Sequence, residues 1–194
     1  MINRHLLVLT FSLFACSSAF AEWTLNNTKS SLNFVSTKAI DIAEVHHFTQ
    51  LVGRVSNNGK AVITIELASV ETGIPIRNER MLGMLFETRK FPLATVRSKI
   101  DMDIVNAIAT GASKNMAIDL ELDLHGVRVD MAANVVVVRL DESTMMVSSA
   151  GPVILNASKV ELSDGIEMLR EVASLPSIGN AVPVTFNLTF EQTE

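Results

Sequence analysis

The sequence predicts an all-β domain of about eight antiparallel strands, folded as a sandwich or closed as a barrel, with one or two short helices. Three observations predict it. Apolar and polar residues alternate along most of the chain, which sorts side chains onto the two faces of a pleated strand. The strands read as alternating rather than continuously apolar runs, so one face is wet and the sheet is antiparallel. Turn residues separate these runs at short intervals.

The chain has 194 residues, 48% of them apolar and 19% charged, with 16 basic and 21 acidic side chains. That length fits one domain with a sizeable core, and the composition is too apolar for a disordered chain. The acidic balance argues against a nucleic-acid partner, which would need a basic patch.

The first 21 residues differ from the rest. Arg4 and His5 precede the run Leu6 to Ala15, and Ala19-Phe20-Ala21 follows as a small-x-small cleavage pattern. Together they read as a secretory signal peptide over residues 1–21, with the domain spanning 22–194 and delivery to the periplasm expected. The run is too short for a permanent membrane span. Cys16 is the sole cysteine, so cleavage after Ala21 leaves a chain without thiol chemistry. The competing reading makes Leu13-Phe14-Ala15-Cys16 a lipobox and Cys16 a lipid anchor. Phe14 is bulky for a position beside that cut, so soluble export is the favoured expectation.

Strands are expected near 31–36, 49–56, 60–69, 94–105, 115–125, 127–139, 144–157 and 182–191. Ala61, Ile63, Ile65 and Leu67 share one face, after the hairpin signal Asn57-Asn58-Gly59. Val96, Ile100, Met102 and Ile104 share another, against Arg97, Lys99, Asp101 and Asp103. Ile118, Leu120, Leu122 and Leu124 alternate with Asp119, Glu121, Asp123 and His125, and Gly126 marks a tight reversal. Gly151-Pro152 should break the seventh strand. Val184, Phe186, Leu188 and Phe190 define the last. Two segments have helical spacing instead. Residues 77–87 place Met81, Leu82, Leu85 and Phe86 on one side, with Gly83 weakening the helix. Residues 164–175 follow Asp164 as a cap, with Glu167 reaching back to it and Pro176 as the stop.

Catalytic chemistry is hard to find in this chain. His46 and His47 are adjacent, so in a strand they point to opposite faces and cannot share a metal ion. No Gly-x-Ser-x-Gly elbow or phosphate loop is present. The acidic row 119, 121 and 123 reads as a solvated sheet face. No catalytic residue, metal site or resident cofactor is therefore expected. What remains is an aliphatic and Met-rich apolar face with no tyrosine. A barrel wall of that kind either packs solid or holds an alkyl or isoprenoid chain.

Several segments resemble the YceI-like family. Trp23-Thr24-Leu25 followed by Ser30-Ser31-Leu32-Asn33-Phe34 is similar to its opening, and Ala68-Ser69-Val70-Glu71-Thr72-Gly73 to its strand-end segment. Arg77-Asn78-Glu79-Arg80-Met81-Leu82 then matches its Arg-rich short helix. Phe86, Phe91-Pro92-Leu93-Ala94 and Leu122-Asp123-Leu124-His125-Gly126 match further positions in order. The family's Arg-Ser-Asp-Phe-Gly segment is absent, which suits a divergent branch. The resemblance implies an exported, lipocalin-like antiparallel barrel that carries a polyisoprenoid, an isoprenoid quinone or another long-tailed lipid. On that reading Ile63, Ile65, Leu67, Leu120, Leu122, Leu124, Phe186 and Leu188 form the ligand wall, and Phe48, Met81, Leu85 and Phe86 form a lid or mouth. An enzyme acting on such a lipid and a stress or interaction protein with a filled barrel are the alternatives. A peripheral membrane contact and a homodimer are left open.

Overall fold

Twelve strands join in one antiparallel sheet in the computed structural model, which describes residues 22–193. The expected leader and Cys16 lie outside the described residues. The first strands are β1 (Glu22–Leu25), β2 (Ser31–Lys38), β3 (Ile42–Phe48), β4 (Leu51–Val55), β5 (Lys60–Glu66) and β6 (Val70–Glu71). Then follow β7 (Leu93–Lys99), β8 (Ser113–Leu124), β9 (Val127–Arg139), β10 (Thr144–Ser149), β11 (Val153–Asn156) and β12 (Ala181–Thr193). Strand β1 closes the sheet into a ring. It pairs with β4 through Trp23 and Val55 on one side, and with β12 through Leu25 and Phe190 on the other. The ring runs β1-β4-β5-β7-β8-β9-β10-β12, an eight-stranded antiparallel barrel. Closure removes the open edges that a sheet would otherwise expose.

β12 is longer than the ring needs. Its second half pairs with β1 and β10, while its first half pairs with β2 and β11. The sheet therefore continues beyond one end of the barrel as β11, β12, β2, β3 and β6. The break at Gly151-Pro152 is where the chain leaves β10 for β11, as expected.

That end also carries two helices. Helix α1 (Pro75–Arg80) starts with proline, whose missing N–H costs nothing in the first turn. It runs into a π turn, Met81–Leu85, where the Phe86 N–H donates to the Met81 carbonyl at 2.9 Å. Helix α3 (Ser163–Val172) packs against this turn. At the opposite end, α2 (Met102–Asn106) follows β7. No helix among the described residues is long and apolar enough to cross a membrane.

Several expected boundaries are corrected. The strand expected over 94–105 stops at Lys99. The Asp101 carboxylate accepts from the backbone N–H of Asp103 and Ile104 at 3.0 and 3.3 Å, a cap that starts α2 despite the alternation. Ile104 is consequently exposed, while Ile100 and Met102 still face inward. Strands β1 and β3 were not anticipated, and β2, which was, lies outside the ring. Asp164 is inside α3 rather than at its cap, and no side chain caps that terminus. Glu167 instead accepts from the Arg170 guanidinium at 2.6 to 2.9 Å. At the β8–β9 turn, His125 and Gly126 both have positive φ, 55° and 80°, the geometry of a two-residue hairpin that matches the sheet twist. A Cβ on Gly126 would come within 2.8 Å of the Phe91 ring.

Candidate functional site

Alternation along the ring strands points their apolar side chains to the barrel axis. β8 illustrates this: Ile118, Leu120, Leu122 and Leu124 face inward, and Asp119, Glu121 and Asp123 face outward. Outside, the Arg97 guanidinium lies 3.3 Å from Glu121 and 3.7 Å from Asp123, across the β7–β8 pairing. Inside, the walls do not meet. They enclose a cavity of about 290 Å³. Among the described residues, every one on its wall is apolar except Ser98, whose hydroxyl donates to the Asp119 carbonyl at 2.6 Å. A water molecule needs two to four polar partners to be held in a cavity, and this wall offers almost none.

Of the residues expected at the site, Ile63, Ile65, Leu67, Leu120, Leu122, Leu124, Phe186 and Leu188 are on the cavity wall. Phe48, Leu85 and Phe86 line it from the helical end. Met81 does not: it is 5% exposed and packed into the core, but it does not line the cavity. The wall also includes residues that the sequence reading missed. Met131, Val135 and Val137 of β9 lie on it, as do Val105 of α2 and Ile166 of α3. The β9 phase was concealed by the unbroken run Val135 to Val138. It could have been carried forward from Arg128 and Asp130, whose polar side chains mark the outer face.

At the helical end the wall becomes aromatic and then polar. The rings of Phe34 and Phe48 are 5.4 Å apart, and those of Phe48 and Phe86 are 5.9 Å apart. The Phe34 ring also meets the His46 imidazole nearly edge-on at 5.3 Å. His46 is 2% exposed, and its Nε2 is 3.0 Å from the Ser36 hydroxyl. Next along the same strand pair, the Glu44 carboxylate takes Lys38 Nζ at 2.8 Å and Arg77 Nη1 at 2.7 Å. Arg77 Nη2 donates to the Thr72 carbonyl at 2.7 Å. The hydrogen bond from Lys38, reinforced by Arg77, holds the Glu44 carboxyl below the usual carboxylate range.

Burial, and then the Arg77 charge, push His46 below its ordinary value, with Glu44 opposing the shift. The folded protein thus resists protonating His46, whereas the unfolded chain takes up that proton near pH 6.5. Stability from this group is complete above that pH and is lost as pH falls through the lower, folded value. Thermal melts between pH 7.5 and 5 should show the fall. His46→Phe should flatten it, and an unchanged slope in that variant would assign the dependence to other groups.

The family model of the YceI-like domain matches residues 23–190. A solved structure of a polyisoprenoid binding domain from Saccharophagus degradans, implicated in plant cell wall breakdown, is 40% identical. It superposes with a TM-score of 0.86 and covers 88% of this chain and 98% of that one. BcnA of Burkholderia cenocepacia, 20% identical with a TM-score of 0.65, covers 85% of this chain and 98% of its own. The YCEI protein of Campylobacter jejuni, 14% identical with a TM-score of 0.57, covers 77% and 85%. These last two share the fold. No curated protein matches the chain.

Proposed function

Because the chain belongs to the YceI-like family, we propose that it is an exported carrier that binds a long-tailed isoprenoid lipid in its barrel, a polyisoprenoid or an isoprenoid quinone. The observation that carries this reading is the apolar cavity wall, on which Ser98 is the one polar residue among those described and its hydroxyl is already bonded. The 40% identical polyisoprenoid binding domain supports it. Desolvating a tail contributes about 0.8 kcal/mol per buried CH₂. A tail of roughly fifteen carbons then contributes on the order of 12 kcal/mol, enough to offset the lower estimates of about 4 kcal/mol for lost rigid-body freedom.

The role is binding and transport rather than catalysis, with the wall residues named above as the contacts. The leader reading of residues 1–21 supports a periplasmic location, with a lipid anchor at Cys16 as the alternative. Ile40 and Ile42, 88% and 50% exposed beside the helical end, supply apolar groups for a peripheral membrane contact. Native mass spectrometry of the gently purified protein, with extraction of the bound lipid, tests the function. One isoprenoid per chain is expected. A lipid-free protein that also fails to take up a twenty-carbon isoprenoid would overturn it. The mass of the mature N-terminus decides between the two export readings.

A further inference from the structure

The cavity wall changes character along the barrel axis. At the helical end it presents the rings of Phe34, Phe48 and Phe86. At the α2 end, among the described residues, it presents three methionines from three elements. They are Met102 in α2, Met116 near the start of β8 and Met145 near the start of β10. Their register places them together along the axis. Met145 pairs with Arg139, the last residue of β9, while Val138 before it pairs with Ser113, the first of β8. Met116 follows three residues later, and α2 joins β7 to β8 at this same end. Val105 of α2 is 5% exposed and lines the cavity, so this helix covers the opening there.

Between the two ends the wall carries β-branched side chains such as Ile63, Val96 and Ile118, which are stiff at χ1. A methionine is unbranched and has three rotatable bonds, so it fills gaps of many shapes at nearly constant volume. The side chains best able to rearrange are thus concentrated where the end of an inserted tail would press.

We propose that Met102, Met116 and Met145 form an adaptable floor that sets tail-length specificity, letting this barrel accept isoprenoid tails of several lengths. A stiff floor would impose a sharp limit. One isoprene unit too many would overpack it and weaken binding on the order of tenfold to a hundredfold. A floor of methionines folds aside instead, and the limit is spread over several units.

The inference rests on the carrier reading, and a series of linear prenols with one common hydroxyl head separates the two. The probes are farnesol, geranylgeraniol and geranylfarnesol, with fifteen, twenty and twenty-five carbons. The wild-type protein should bind geranylfarnesol at least as tightly as geranylgeraniol. The stiffened variant Met102→Leu/Met116→Ile/Met145→Ile keeps the floor apolar and near its original volume, so it should fold. It should bind farnesol within about threefold of wild type and geranylfarnesol at least tenfold more weakly. Met116→Ile alone should show the same trend at smaller size, which keeps the test open if the triple variant does not fold. The same length profile in wild type and variants would overturn the floor. So would an equal loss for all three prenols, or a tenfold fall between geranylgeraniol and geranylfarnesol in the wild type. A wild-type protein that binds none of the three would overturn the carrier reading itself.

Discussion

Leu122→Asp is expected to leave the protein unable to hold a lipid, and for the most part unable to fold, while the neighbouring Asp123→Asn changes little. Leu122 is 8% exposed, lies on the cavity wall and is flanked across the sheet by Val96 and Val129. Losing a buried leucine costs about 2–5 kcal/mol. Placing a carboxyl there adds the cost of desolvating it with no partner in reach. The sum rivals the whole stability of a domain, about 5–15 kcal/mol. Asp123 faces outward, with 30% of its side chain exposed, near Arg128 at 3.0 Å and Arg97 at 3.7 Å. Surface pairs of this kind are worth about 0–1 kcal/mol. Thermal unfolding and the amount of co-purified lipid check both variants. Equal behaviour would show that the inward and outward faces of β8 are misassigned.

The second large effect is expected at Gly165, where α3 crosses the π turn. A Cβ there would sit 2.5 Å from the Met84 carbonyl oxygen and 2.8 Å from the Leu85 Cα. Both are backbone atoms, so no side chain can swing aside to make room. Gly165→Val must lift α3 off the turn, which displaces two cavity-lining residues, Leu85 beneath it and Ile166 on the helix. Overpacking of this kind costs about 1–3 kcal/mol, and here the strain falls on the cover of the cavity. We expect a lower melting temperature together with faster loss of bound lipid in a vesicle-transfer assay. Gly83→Ala in the same π turn is the control, because nothing lies within 4 Å of its Cβ position. It should match the wild type in both measurements. If Gly165→Val retains lipid as well as the control, α3 and the π turn do not close the cavity.

Much of the wall was legible because alternation is a local property of a strand. Ile63, Ile65, Leu120, Leu122, Leu124, Phe186 and Leu188 face inward because the pleat alone sends every second side chain the same way. The same rule misled at residues 100–104. There Asp101 offers the backbone a nearer hydrogen-bond partner than the next strand does, and a short helix forms. It also misled at Met81, since the spacing of a short helical segment does not say which of its buried residues meets a cavity and which meets packed core. The polar cluster was not legible. His46 and His47 alone suggested no site, and Arg77, which meets Glu44 33 residues away, shares no local pattern with it.

By itself, the sequence determined the all-β class, the inward face of most ring strands, the hairpins and the break at Gly151-Pro152. Each of these depends on neighbours two to four residues apart. Only the tertiary structure decided which strands close the ring, that the enclosed space is a cavity rather than a packed core, and that Arg77 meets Glu44 beyond its aromatic end. Those outcomes depend on how β1, β2 and β12 share their hydrogen bonds across more than 150 residues of chain, and no local pattern of side chains encodes that.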